Sequence, residues 1–319
     1  LGVFKIEFIP FAHTFLDDVG LAIDTPEGLV LHIADFKLAH NKEESQKTLD
    51  KLAEFSKRGV KLLSLESTNV EYKGSPVSES IVHDTISSIF QKAKGRIVVT
   101  SFASSLDRIQ GVLNAALRNH RQVAVSGRSM DKAINIAMNL GYLKVPPHIL
   151  VDIRQISNMP DSKLVILCTG SQGEEYSALA RMASGDHKQV KIKKGDTIVI
   201  SASAIPGNER TINDNVNNLF REGADVFYGS EAQRIHSSGH AKRDDLKLVI
   251  STVNPEYFVP IHGEYRHLVL HTRLAQSLGN AEDHTIILED GQILEIQNGR
   301  SRVAQERARQ GPRPDFLLP

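Results

Sequence analysis

An α/β fold with a mostly parallel central sheet follows from three features of this sequence. Short apolar, β-branched runs alternate with segments of helical period almost throughout. Most of those runs end in a loop of small polar residues. The alternation also changes character near residues 78 and 229, so a regular block is bracketed by two less regular ones. This predicts an open parallel sheet inserted as its own domain.

The elements follow in order. KIEFIPF, VGLAID and LVLHIAD read as short strands, with Pro26, Glu27 and Gly28 setting the turn of a hairpin. A helix from about Glu43 to Lys57 is stopped by Gly59. The strand VKLLSL then delivers Glu66, Ser67, Thr68 and Asn69 at its carboxyl end, the edge where α/β proteins keep their chemistry. From Ser78 the order becomes helix 78–94, strand RIVVT, helix 104–118, strand QVAVS, and helix 129–140 ended by Gly141. Beyond LKVPPH, the strand LVILC runs into TGSQGE, and DTIVISAS into AIPGNE and a helix. Past Gly229, IHSSGH precedes a helix, the strand PEYFVPIH, another helix and a pair of short strands around DGQ. The Arg-rich tail has little apolar content and reads as disordered or a linker. No internal repeat of fixed period is present.

The 319 residues suffice for one large domain or two ordinary ones. Lys plus Arg (38) equals Asp plus Glu (38), so there is no global charge signature of a nucleic-acid binder and any polyanion site must be local. The single cysteine, Cys168, lies in an apolar run, where it acts as a small buried hydrophobe and cannot form an internal disulfide. No apolar run approaches the roughly 20 residues needed to span a bilayer, and no signal segment opens the chain. A soluble, cytoplasmic protein without a membrane partner is expected. The sequence begins on LGVFKIEF rather than Met, which reads as a start inside something longer.

Four loops after apolar strands carry His or carboxylate: His13 in AHTFLDD, Asp35 in ADFK, Glu66 in LESTN and His262 in PIHGEY. Gathered at one sheet edge, two imidazoles and a carboxylate suit a divalent ion. The bland alternative keeps the loops apart and leaves His262 a core-edge histidine bonded to a backbone carbonyl. In HSSGH, His236 and His240 stand four apart, the spacing of a helical metal clamp, but the Ser-Ser-Gly interior argues for a loop. Such a loop brings hydroxyls, backbone N–H groups and an imidazole to a phosphate. FASS, SGRSM, TGSQGE and IPGNE are further small-residue loops at strand ends. With Arg128 they suit a phosphodiester chain better than a small apolar ligand. Neither a Walker A loop nor the dinucleotide fingerprint occurs.

AHTFLDD, ADFK, LLSLESTN, FASSLDRIQ, VAVSGRSM, CTGSQGE, IPGNE, HSSGH and PIHGEYR, in this order from about residue 3 to 296, resemble the ribonuclease J family, in the β-CASP branch of the metallo-β-lactamase superfamily. The resemblance implies a partial metallo-β-lactamase αββα-type domain at 1–77 and 229–296, an inserted parallel-sheet β-CASP domain at 78–228, and a tail at 297–319. It implies that His13, Asp35 and His262 hold two divalent metal ions, zinc ahead of manganese, with Asp35 bridging them. Glu66 and His240 match the first two signature motifs of the branch, with His240 near the scissile phosphate. On the resemblance Ser238, Gly239 and the loop of Gly170, Ser171, Gln172 and Gly173 would grip the RNA backbone or its 5′-monophosphate, and the reading of the small-residue loops adds Ser104, Arg128, His236 and Ser237 at RNA phosphate. The implied activity is hydrolysis of single-stranded RNA, both internally and 5′ to 3′. A homo-oligomer or an RNA-degrading assembly is the further partner suggested for a full-length protein.

The chain departs from the family pattern in places. The family's His-x-His-x-Asp-His motif is absent, and His83-Asp84 lacks its spacing. The chain alone is therefore expected to hold metal weakly and not to cleave, and an RNA-binding scaffold is the alternative reading. Thr14-Phe15-Leu16-Asp17-Asp18 replaces the usual Ser-Ile-Pro-Asp-Ser, Ala34 stands for Gly, and LAHNK replaces the acidic residue and Pro.

Overall fold

The computed structural model describes residues 2–38, 42–174, 176–202, 207–228, 234–297 and 299–304. In chain order the elements are β1 (Lys5–Pro10), β2 (Val19–Thr25), β3 (Gly28–Ile33), α1 (Lys42–Arg58), β4 (Val60–Glu66), α2 (Glu79–Lys92), β5 (Ile97–Thr100), α3 (Leu106–Arg118), β6 (Gln122–Ser126) and α4 (Arg128–Asn139). They continue with β7 (Leu150–Val151), β8 (Leu164–Cys168), α5 (Ala178–Ala183), β9 (Thr197–Ile200), α6 (Glu209–Arg221), β10 (Asp225–Phe227), α7 (Arg243–Val253), β11 (Tyr257–Ile261), α8 (Tyr265–Ser277), β12 (Ile293–Gln297) and β13 (Arg300–Ala304). Packing divides the chain into two compact units. One takes residues up to His13, Asp17–Pro76 and the described residues from Gly239 onward; the other takes Thr14–Leu16 and Val77–Ser238.

The first unit is built on a sheet of order β1-β2-β3-β4-β11. The β2–β3 hairpin closes with Thr25 opposite Gly28, leaving Pro26 and Glu27 as its two-residue loop. β3, β4 and β11 are parallel, with Ile33 beside Leu65 and Glu66 beside Ile261. Three neighbouring carboxyl ends therefore meet along one edge. Between β3 and β4 runs α1, which opens on Glu43 and Glu44 and closes on Lys57 and Arg58, charges that complement the helix dipole. Its Leu52 and Phe55 enter a core shared with Leu31, Ile33, Leu63, Leu65 and Phe258. α7 adds Leu246, Val249, Ile250 and Val253 at helical spacing.

The second unit holds a parallel sheet of order β10-β9-β5-β8-β6-β7. β5, β8 and β9 are buried along their whole length, because helices cover both faces of a parallel sheet. One face packs Val99, Leu167 and Val123 under α2, α3 and α4; the other packs Ile166, Ile198 and Ile200 under α5 and α6. Cys168 is fully buried there, and burial pushes its thiol up to about 12, which leaves it inert.

The main helices and strands lie within a few residues of the positions the sequence predicts. α5, β7 and β10 have no counterpart in that reading; β7 and β10, at two and three residues, are too short to show alternation. The strand pair around DGQ is a correction. Gln292 N–H does donate to the Glu289 carbonyl at 3.0 Å, closing the turn. However, β12 pairs forward with β13 and not with the residues before the turn. β13 also falls inside the stretch 297–319 read as disordered or linker, so that reading fails for 300–304; residues 305–319 lie outside the described residues. The return to the first unit comes at Gly239, ten residues beyond the Gly229 boundary read from the sequence. His236 to His240 form a loop without helix.

Candidate metal centre

Asp35 lies two residues past the end of β3, Glu66 is the last residue of β4 and His262 is the first after β11, so the three adjoining strand ends present them together, and the segment after Gly239 brings His240 among them. Asp35, Glu66, His240 and His262 each offer a ligand atom within 4.8 Å of the others. His262 Nδ1 lies 2.7 Å from Asp35 Oδ1 and 3.9 Å from Glu66 Oε2. The His240 ring centroid stands 5.4 Å from that of His262 and 5.2 Å from that of His13. His13 is therefore beside the group, although its ligand atom is not one of the four that meet within 4.8 Å.

Glu66 is fully buried, and both its oxygens are engaged. Oε1 accepts the Phe36 N–H at 2.8 Å, and Oε2 stands 2.8 Å from His240 Nδ1. A carboxylate accepts only, so His240 donates through Nδ1, which turns Nε2, on the other side of the ring, away from Glu66. The hydrogen bond from His262 holds the Asp35 carboxyl below its ordinary range, and the same contact raises His262. Burial, followed by the His240 charge, pushes His13 down to about 4. His13 is thus neutral at neutral pH, the form in which an imidazole takes a metal.

The residues expected at RNA phosphate lie in the second unit, apart from Gly239, and they gather by topology. Ser104 follows β5, Arg128 follows β6, and Gly170 to Gly173 follow β8, three neighbouring strands whose carboxyl ends share an edge. Arg128 is exposed, Ser171 is buried at 2%, and Ser104 and Gln172 are half-buried. Gly170 has φ +111°, and a Cβ there would run into the Ser177 hydroxyl, so this loop requires glycine. In the same unit, His236 and Ser237 are buried and Ser238 is half-buried.

A second acid and imidazole group, Glu79, His83 and Asp107, also occurs among the described residues. Glu79 is already committed to buried Arg108 at 2.7 Å, and His83 Nε2 lies 3.1 Å from the Asp107 carbonyl. Those contacts account for it as structure.

Two family models match the chain: "Ribonuclease J, beta-CASP domain" over residues 94–219, and "Zn-dependent metallo-hydrolase RNA specificity domain" over residues 230–287, which contains His240 and His262. A ribonuclease J of Synechocystis is 41% identical over 302 residues, spanning 94% of this chain and 47% of the relative. One from Helicobacter pylori is 38% identical over 297 residues, spanning 93% of this chain and 43% of the relative. This chain belongs to the ribonuclease J family. It spans about half the length of the curated relatives it matches. A solved protein of unknown function from Enterococcus faecalis shares the fold at 14% identity, with a TM-score of 0.62 over 95% of this chain and 65% of that one.

Divalent metal use follows for the ribonuclease J family from its metallo-hydrolase domain. The donor set found here, imidazole and carboxylate without thiolate, fits such an ion. A buried atom supports the fit: Asp18 Oδ2 has no hydrogen-bond partner among the described residues and lies 3.9 Å from His13 Nδ1. Burial raises Asp18 above the usual carboxyl range. Sequence reasoning noted Asp18 only as a departure from the ribonuclease J pattern. Ser67 and Thr68, which hold the His262 backbone, were legible only as neighbours of Glu66.

Proposed function

We propose that this chain carries part of the catalytic centre of a divalent-metal-dependent ribonuclease that hydrolyses single-stranded RNA. One observation carries the reading: Asp35, Glu66, His240 and His262 converge at three adjoining parallel strand ends, with His13 beside them, in a chain of the ribonuclease J family. Asp35 and His262, with His13, hold metal, zinc ahead of manganese. Bound divalent ions supply Lewis-acid activation of water and neutralise charge at the phosphodiester. Glu66 fixes the His240 ring through Nδ1, so Nε2 faces the substrate and protonates the leaving oxygen. The strand-end loops carrying Ser104, Arg128 and Gly170 to Gly173, with the His236-Ser237-Ser238-Gly239 loop, grip the RNA backbone and a 5′-monophosphate. Cutting both internally and 5′ to 3′ belongs to this reading.

The test is cleavage of 5′-monophosphorylated, end-labelled single-stranded RNA with zinc or manganese, by this chain and by a protein that also carries a His-x-His-x-Asp-His segment ahead of it. The expected result is cutting by the longer protein, abolished by His262→Ala, and none by this chain. The alternative reading is RNA retention without cleavage. RNA held but uncut by both proteins would establish it.

A further inference from the structure

We propose, on the reading of His262 as a metal-holding residue, that Ser67 and His271 are positioning residues: their buried hydrogen bond fixes the backbone that presents His262.

His262 has φ +51°, the left-handed region that a residue bearing a Cβ occupies only when its surroundings hold it there. Its side chain is 46% exposed, so packing around the ring does not supply that restraint. Besides the ring's contact to Asp35, a restraint comes through the carbonyl oxygen, which accepts the Ser67 N–H at 3.2 Å and the Thr68 hydroxyl at 3.2 Å. Both donors belong to the turn that leaves β4. If that turn shifts, the His262 carbonyl loses both partners.

The turn is itself anchored from the other side. Ser67 Oγ lies 3.0 Å from His271 Nδ1, and both residues are fully buried. His271 belongs to α8, and its ring meets Phe258 edge-on at 4.9 Å, in the strand that leads to His262. A Cβ on Gly263 would come within 3.0 Å of His267 and 3.4 Å of the Ser67 Cβ. The serine therefore packs closely against the residue after His262 as well as bonding to its carbonyl.

The state of His271 distinguishes this role from plain core filling. Nε2 is buried without a hydrogen-bond partner among the described residues. Burial pushes the imidazole down to about 3, so it is neutral. A leucine or phenylalanine here would fill the space with no orphaned nitrogen, and an unpaired buried polar atom is costly. What the imidazole supplies in return, among the described residues, is one hydrogen bond, through Nδ1, to Ser67.

The experiment uses the 319-residue chain with Ser67→Ala, His271→Leu and His271→Asn, whose amide reaches the place of Nδ1. Zinc affinity is read by competition with a chromophoric chelator, the His262 imidazole by 15N NMR of the metal-free chain, and folding by thermal melting. Ser67→Ala and His271→Leu are expected to move the His262 signals and weaken zinc binding by about 10- to 100-fold, as losing a residue behind a metal ligand does. His271→Asn is expected to stay within roughly threefold of the parent, because it keeps the contact to Ser67. A folded Ser67→Ala chain with parental His262 signals and parental zinc affinity overturns the proposal. If the parent takes up no zinc, the metal reading is decided by a protein that also carries the His-x-His-x-Asp-His segment, and zinc uptake missing there too overturns it. The His262 signals then decide the positioning claim alone, unmoved signals sinking it.

Discussion

Asp35 and His262 perturb each other in opposite senses, and the signs fix a pH window. The carboxyl is held below its ordinary 3.8, so its contribution is full above that value and is lost as pH falls through the lowered one. The imidazole is held above its ordinary 6.5, so its contribution is full below that value and is lost as pH rises through the raised one. The pair thus supports the metal-free chain fully between pH 3.8 and 6.5. On the proposed reading metal binding would run the other way, because an ion held by His262 would displace its proton. NMR titration of the metal-free chain should show His262 titrating above 6.5 and His13 near 4, with Asp35→Asn lowering His262. His262 titrating at or below 6.5 in the parent would remove the Asp35 contact as its cause. At this scale much of the site was legible. His13, Asp35, Glu66 and His262 each end an apolar run, and that juxtaposition shows in one dimension. Ser67 and His271 stand 204 residues apart, and YRHLVLHTRLAQS reads as an ordinary amphipathic helix, so nothing local ties His271 to the site.

Among elements, the second unit is held by a network that its helical pattern only half discloses. Arg108 on α3 donates through Nε and Nη2 to Glu79 Oε2 on α2, at 3.0 and 2.7 Å. Its Nη1 reaches the Ser201 hydroxyl and, at 3.2 Å, the Ile235 carbonyl. Both charged side chains are at most 5% exposed, so removing one partner strands the other in a medium that cannot solvate it. Glu79→Gln or Arg108→Met should each cost about 3–5 kcal/mol in urea unfolding. The double change to apolar residues should recover part of that loss, since no charge is left buried. Single variants within experimental error of the parent would mean that water reaches the pair. A helix from Ser78 could be read from the sequence, but the commitment of Glu79 to Arg108 could not. The same limit explains the hairpin displaced past DGQ: turn residues mark where the chain bends, and only pairing decides which strand it bends toward.

For the whole molecule the deciding quantity is charge. With zero formal net charge, the proposed attraction to RNA cannot come from a general positive field and would come from a few cations placed where the backbone runs. On the proposed reading Arg128 is the candidate: exposed, first residue of α4, and beyond the β6 strand end on the edge that also carries the Ser104 and Gly170 to Gly173 loops. A helix start adds its own partial positive charge to that of the guanidinium. Arg128→Ala is therefore expected to weaken single-stranded RNA binding to a similar degree for RNAs of different sequence. It should also reduce the slope of log affinity against log salt by about 0.7, the share of one phosphate contact on a single strand. Filter retention at several salt concentrations, with two RNAs of unrelated sequence, measures both. An unchanged slope would take Arg128 off the RNA path, and a loss confined to one sequence would make it a reader of bases and not of backbone.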